Sequence, residues 1–288
     1  MKETFRREAP AKINLALDIL GKRPDGYHAL CSVMQTVSLC DTVELAEGGE
    51  GFTLSMAGFT PPEGRKTLEQ RAAEAFFARL GRAMPPLTVA ITKRTPAYAG
   101  LGGGSADVAA LLRILRDRYA PEMEDTTLES IGAEVGSDMP FCLRGGTALA
   151  EGRGEILTDL PPLPDCWIVL CKPPFPIPTP MLFARADSVA IRHRPDIPGM
   201  RKALENGDLE GVAGRLGNVF EEVLPPECGA VFAIWDALLA AGALGAGMSG
   251  SGPTVFGIFR EEGLARAAQK KTLPLGESYA VRPLGKLT

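Results

Sequence analysis

The chain has 288 residues, enough for one large domain or two modest ones around a real hydrophobic core. Apolar residues make up 45% and charged residues 23%, an ordinary globular composition that excludes a disordered chain. The formal net charge of −4 argues against nucleic acid as a partner, so a phosphorylated ligand would need local cations, for which Lys12, Lys22, Arg23, Lys93, Arg94, Arg144 and Arg153 are candidates.

The opening residues, M-K-E-T-F-R-R-E, are charged and lack the apolar stretch of a secretory signal, and no later segment reads as a membrane span. A cytoplasmic protein with no membrane partner is expected. Over 9–19, Ala11, Ile13, Leu15, Leu17 and Ile19 have Lys12, Asn14 and Asp18 between them. This period of two predicts a half-buried strand with the three polar residues on one face. Lys12 and Asn14 would then lie roughly 6–7 Å apart along it. Arg23-Pro24-Asp25-Gly26 signals a turn, and a strand-rich region follows over 27–45. A helix is expected over 67–80 and a strand over 87–93, ended by Thr95-Pro96. Next comes a glycine-rich run, 100–105, and then Val108, Leu111, Leu112 and Leu115 at helical spacing. A further helix, 126–134, leads to Gly136-Ser137-Asp138-Met139-Pro140-Phe141.

Near residue 155 the character changes, and Pro161-Pro162-Leu163-Pro164 reads as a linker. A buried strand over 166–170 precedes the proline-rich stretch 172–180, which should be extended. Helices are expected over 200–216 and 228–241, a second glycine-rich turn over 245–252, a strand over 254–259, a helix over 261–270 and a last strand over 278–283. The six cysteines form no C-x-x-C pair and only two histidines exist, which speaks against a zinc site and for reduced thiols.

Strand, glycine loop, helix is an order that can cradle a phosphate. Consecutive glycines let the backbone approach closely, and the helix start offers unpaired N–H groups and a positive dipole end. A purely structural turn is the competing reading. The loop is not of the Walker A type, since no lysine follows the glycines. Asp138 could cap the helix that Pro140 opens, or act as a general base toward a hydroxyl attacking a phosphate. Lys12 could sit on a solvated face, or pair with Asp138 and stabilise a transferring phosphoryl group. Tyr27 and His28 could stack on and bond to a planar base, or be ordinary strand residues.

Taken together the segments resemble the GHMP kinases. The resemblance rests on P-A-K-I-N-L from Pro10 to Leu15, P-A-Y-A-G-L-G-G-G-S-A-D from Pro96 to Asp107, and the late G-M-S-G-S-G-P turn. It narrows to the branch that phosphorylates a cytidyl diphosphate of a methylerythritol, through D-G-Y-H at 25–28, G-S-D-M-P-F at 136–141, G-G-T-A at 145–148, E-G-R-G-E at 151–155 and I-P-T-P at 177–180. The implied fold is α+β in two domains. The first, 1–157, would resemble domain 2 of ribosomal protein S5, and the second, 158–288, would be ferredoxin-like. The implied reaction transfers the γ-phosphate of ATP to the 2-hydroxyl of that small-molecule substrate, with Mg2+ as cofactor. Asp138 would be the base and Lys12 its partner. Pro96, Ala97, Tyr98, Ala99, Gly100, Leu101, Gly102, Gly103, Gly104, Ser105 and Ala106 would hold ATP, with Ser105 also a contact for magnesium. Asn14, Tyr27, His28, Thr179 and Phe183 would bind the acceptor. A homodimer is compatible with the resemblance. Two positions depart from the family pattern: Thr67-Leu68 stands where Asn-Leu is usual, and Asn218-Val219-Phe220-Glu221 where Asn-Asp usually precedes the Phe-Glu or Leu-Glu pair. A homoserine or mevalonate type of kinase, or a non-catalytic ligand sensor on the same fold, are the competing assignments.

Overall fold

The alternation near the N-terminus produces two long strands, β1 (Thr4–Lys22) and β2 (His28–Glu47), paired antiparallel. Asp25 shapes the turn between them: its Oδ1 accepts the Tyr27 N–H at 3.1 Å. The computed structural model describes residues 3–57, 59 and 66–287. Next along the chain come β3 (Phe52–Ala57), α1 (Leu68–Arg79), β4 (Leu87–Thr92), α2 (Gly103–Tyr119), α3 (Asp125–Val135), α4 (Met139–Arg144), β5 (Thr147–Gly152) and β6 (Ile156–Asp159). The second half holds β7 (Trp167–Lys172), α5 (Thr179–Ser188), α6 (Ile197–Glu205), α7 (Leu209–Ala213), β8 (Gly217–Asn218), α8 (Gly229–Ala240), β9 (Gly245–Met248), β10 (Val255–Phe259), α9 (Glu262–Thr272) and β11 (Glu277–Val281).

The first sheet has seven strands and runs β3-β4-β2-β1-β8. The outer half of β2 pairs instead with β5, which continues to β6. Helices α1 to α4 pack together, and α2 lies against β1 and β2. Beyond its first turn α2 is buried almost all round, from Ala106 to Leu115, because the sheet takes one side and α1, α3 and α4 take the others. The second sheet is antiparallel, ordered β11-β7-β10-β9, and carries α8 and α9. The halves are tied together: β8 pairs with β1, and the segment after β11 returns to the first sheet through the bridges Val37↔Pro283 and Gly145↔Lys286.

Several expectations need correction. β1 is not half-buried, since 9–19 are buried on both faces by the helices on one side and the second sheet on the other. Its polar residues do not all share a face. The β1–β2 register shifts between Asn14 and Ala16, so Lys12, Asn14 and Leu17 stand opposite Thr36, Met34 and Ser32, while Asp18 stands opposite Cys31 on the other face. A bulge of one residue reverses every side chain beyond it. Asp18 therefore leaves the Lys12 cleft and pairs with Arg194 at 2.6 Å. The helix expected over 200–216 is two, α6 and α7, broken at Asn206-Gly207 and restarted by Asp208, whose Oδ1 accepts the Gly211 N–H at 2.9 Å. The first half of the 245–252 glycine run is the strand β9. The sequence patterns predict none of β3, β5, β6 and β8, and α5 begins at Thr179 inside the stretch 172–180 expected to be extended. The expected division at 157/158 falls inside β6.

Candidate functional site

The strand–loop–helix order of 87–119 builds an open cavity of about 630 Å³. Its walls include Met56, Phe59, Thr67, Leu68, Lys93, Asp107 and every residue from Pro96 to Ser105. Ala106 is instead buried in the helix-packed core, its N–H donating to the Gly102 carbonyl at 2.9 Å. Gly102, at φ +68°, stands just before α2, and no side chain caps the helix start. The N–H groups of the first turn are thus available to an anion at the dipole's positive end. Thr67 lies on the cavity wall and caps α1, with its hydroxyl accepting the Gln70 N–H at 3.3 Å. Tyr98 has φ +52° and is 67% exposed, with its ring 6.3 Å from that of Phe59. A non-glycine residue held in this region is strained by about 1–3 kcal/mol, a cost tolerated where function needs the geometry.

Lys93 is not a free cation for a phosphate. Its Nζ bonds Asp107 Oδ2 at 2.5 Å and also Asp41, at the floor of the cavity. Burial pushes the Asp107 carboxyl up to about 7 against the pull of Lys93, and Asp41 adds to the rise. Asp41 Oδ1 accepts the N–H groups of Arg94 at 2.5 Å and Thr95 at 2.7 Å, so the triad ties the end of β4 to the start of α2. The sequence singled out Lys93 but not its two carboxylates, which are fully buried and lie in separate elements.

Lys12 lies behind Gly102. A Cβ on that glycine would be 2.9 Å from Lys12 Cγ, so the lysine stem fills the space a side chain would take. Lys12 is 4% exposed; its Nζ donates to Asn14 Oδ1 at 2.8 Å and stands 3.3 Å from Asp138 Oδ2. Asn14 in turn donates to Ser32 Oγ at 2.8 Å. Asp138 occupies the position before α4, but its side chain makes no capping bond. It is aimed at Lys12 and remains 39% exposed, within reach of a ligand.

The second glycine turn closes on the first. Ser249 Oγ donates to the Gly100 carbonyl at 2.9 Å and accepts the Asn14 N–H at 3.3 Å. Asn218 and Glu221 hold this turn from behind. Asn218 Nδ2 donates to the carbonyls of Met248 and Gly250 at 2.8 and 2.7 Å, and Glu221 Oε1 accepts the Met248 N–H at 2.9 Å. Burial pushes the Glu221 carboxyl up to about 7, against the bonds it accepts from the Met248 and Asn218 backbone N–H groups. The folded chain then keeps a proton that the unfolded chain releases from its ordinary value of 4.5 upward, so this group's contribution to stability falls as pH rises through 4.5 to about 7. Glu221→Gln should lose that component. The Tm gap between wild type and variant should narrow across this window, and parallel Tm–pH curves would remove the assignment.

A cluster of rings completes the cleft. His28 and Phe183 stack with centroids 4.5 Å apart, and Phe183 meets Phe220 edge-on at 5.0 Å. His28 Nε2 shares a 2.8 Å hydrogen bond with Asp187. Thr179, Phe183 and Asp187 recur at helical spacing on α5, and Thr179 Oγ1 bonds Ser251 Oγ at 2.7 Å. Tyr27 is 56% exposed beside Arg153, whose Cζ lies 5.1 Å from its ring centroid. Of the other expected cations, Arg144 pairs with Glu129 and Arg23 with Asp25. All six cysteines are free thiols. Among the described residues no helix is long and apolar enough to cross a membrane.

Residues 67–146 match the family "GHMP kinases N terminal domain" and 200–272 match "GHMP kinases C terminal". The chain is 40% identical over 286 residues to the 4-diphosphocytidyl-2-C-methyl-D-erythritol kinase of Geobacillus kaustophilus, covering 97% of each. A crystal structure of 4-(cytidine 5'-diphospho)-2C-methyl-D-erythritol kinase superposes with TM-score 0.81 at 30% identity, over 98% of this chain and 100% of that one. Homoserine kinase from Cytophaga hutchinsonii superposes with TM-score 0.77 at 18% identity, over 99% and 96%, which is a likeness of fold.

Proposed function

Because the chain belongs to the GHMP kinase family, we propose that it transfers the γ-phosphoryl group of ATP to the 2-hydroxyl of 4-diphosphocytidyl-2-C-methyl-D-erythritol, on the non-mevalonate route to isoprenoid precursors. One observation carries the reading. A line of neighbouring residues leads from the glycine-loop cavity through Gly102, Lys12 and Asp138 to the Gly154 turn, Arg153 and the Tyr27 ring. A nucleotide at one end and a nucleoside-bearing acceptor at the other would meet at Lys12 and Asp138.

In this reading the first-turn N–H groups of α2 hold the ATP phosphates, and the apolar wall of Met56, Phe59, Leu68 and Tyr98 receives the adenine. Asp138 accepts the proton of the acceptor hydroxyl as its oxygen attacks the γ-phosphorus. Lys12, held by Asn14 and Asp138, offers its ammonium to the charge on the transferring group. Tyr27, His28 and Phe183 bind the cytosine, and Thr179 supports them through Ser251. Magnesium bound with the nucleotide would neutralise phosphate charge. Ser105 lines the cavity where it could reach such an ion, and among the described residues no group of three His, Cys, Asp or Glu side chains is arranged to hold a metal, which fits an ion carried largely by phosphates and water.

Purified protein should release ADP from ATP only when the cytidyl diphosphate acceptor is present. Equal turnover of homoserine or mevalonate would sink the acceptor assignment, and binding of acceptor without turnover would favour a ligand sensor.

A further inference from the structure

We propose that Arg153 binds the diphosphate of the acceptor, making the 152–155 turn the bridge between the nucleobase end and the phosphorylated end of the cleft. The inference rests on the acceptor reading above. β5 pairs with β2 so that Gly152 stands opposite Leu30, which sets the turn between β5 and β6 beside Tyr27 and His28. Two consecutive residues of this turn then face the two ends of the cleft. Arg153 lies over the Tyr27 ring, with Cζ 5.1 Å from its centroid. Gly154, at φ +115°, lies against Asp138, where an added Cβ would come within 3.9 Å of Oδ1. In a cytidyl diphosphate of a sugar alcohol, the diphosphate joins the base-bearing ribose to the carbon chain that carries the reacting hydroxyl. With the base at Tyr27 and the hydroxyl at Asp138, the diphosphate must cross this turn.

The local charges make Arg153 the group able to receive it. Asp25, Glu151 and Glu155 surround the turn and would repel an anion. The Glu155 carboxylate is already engaged by the Arg153 backbone N–H at 2.5 Å, and it meets the guanidinium only loosely, with Nε to Oε1 at 3.6 Å. Among the described residues the terminal guanidinium nitrogens bond to no side chain, and the side chain is 32% exposed. A planar guanidinium resting on an aromatic face keeps its edge free for two phosphate oxygens, a geometry a lysine cannot reproduce.

Calorimetric titration of cytidine, CMP and CDP into wild type, Arg153→Ala and Arg153→Lys tests the proposal without requiring turnover. Wild type should bind CDP more tightly than cytidine. Arg153→Ala should keep its cytidine affinity and lose about 10–100-fold toward CDP, the range for a hydrogen bond to a charged group. Arg153→Lys should recover part of the loss. In turnover, the alanine variant should raise KM for the acceptor and leave KM for ATP unchanged. Equal losses for cytidine and CDP would overturn the proposal and leave Arg153 as a prop for Tyr27. An unchanged CDP affinity would overturn it outright. Wild-type protein that binds neither ligand would overturn the acceptor reading together with this one.

Discussion

Asp138→Asn is expected to lower kcat by about 10²–10⁴-fold, the usual contribution of a general base, with little change in ATP affinity. The amide has nearly the shape of the carboxylate, so the start of α4 should survive: the side chain makes no capping bond that could be lost. The two properties removed are the ability to take a proton and the charge 3.3 Å from Lys12 Nζ. The glycine-loop cavity is lined by other residues, which is why nucleotide binding should persist. Phosphoryl transfer can pass through a loose transition state in which the attacking hydroxyl loses its proton late, and catalysis then rests mostly on positioning and electrostatics. The size of the effect discriminates between these roles. A kcat within a few-fold of wild type, with an unchanged Tm, would show that Asp138 is not the base and would leave Lys12 as the main electrostatic element.

The strand that carries Lys12 illustrates how far sequence reasoning reaches. Period two over 9–19 announces β1, and the lysine and asparagine it places together do touch, through a 2.8 Å hydrogen bond. The bulge is not legible, because Leu15 and Ala16 are both apolar and either could carry the next inward position. Nothing local announces that a residue has been added, so unbroken alternation puts Asp18 on the wrong face. Burial of both faces is equally invisible, since the covering second sheet comes from β7 onward. The glycine run is legible as a loop of close approach, because a Cβ at Gly100 or Gly102 would meet Ser249 or Lys12 and only glycine leaves that space. The meeting of Lys12 with Asp138, and of His28 with Phe183 and Asp187, joins positions more than a hundred residues apart. Chemistry makes a Lys12–Asp138 pair conceivable and the resemblance groups His28 with Phe183, but nothing in the sequence points to Asp187. Helix α5 did leave a signal: Pro180 in its first turn is a helix opener, although the prolines before it read as a chain that stays extended. Asn218 and Glu221 left one as well, since their three-residue spacing is that of a capping box.

Gly100→Ala is the second large expected effect, and it separates the two glycine turns. Gly100 has φ +75°, where a Cβ alone costs about 1–2 kcal/mol. An added Cβ would also stand 2.1 Å from the Ser249 carbonyl oxygen and 3.0 Å from the Gly252 nitrogen. Both neighbours are backbone, so no change of rotamer relieves the contact and the turns must move apart. That movement would break the bond from Ser249 Oγ to the Gly100 carbonyl and the bond from the Thr254 N–H to the Ala99 carbonyl. The variant should lose about 3 kcal/mol or more, and Tm should fall at about 2–4 °C per kcal/mol. KM for ATP should rise as well, because the loop that lines the cavity shifts with Gly100. Gly104→Ala provides the contrast in thermal unfolding. Its Cβ would meet only Leu68 Cδ1, at 4.0 Å, in the first turn of α2, where alanine suits the backbone better than glycine. A Tm loss confined to Gly100→Ala ties the cost to contact between the turns. Equal losses in both variants would mean that the loop tolerates no side chain anywhere, and that the Ser249 contact is not the cause.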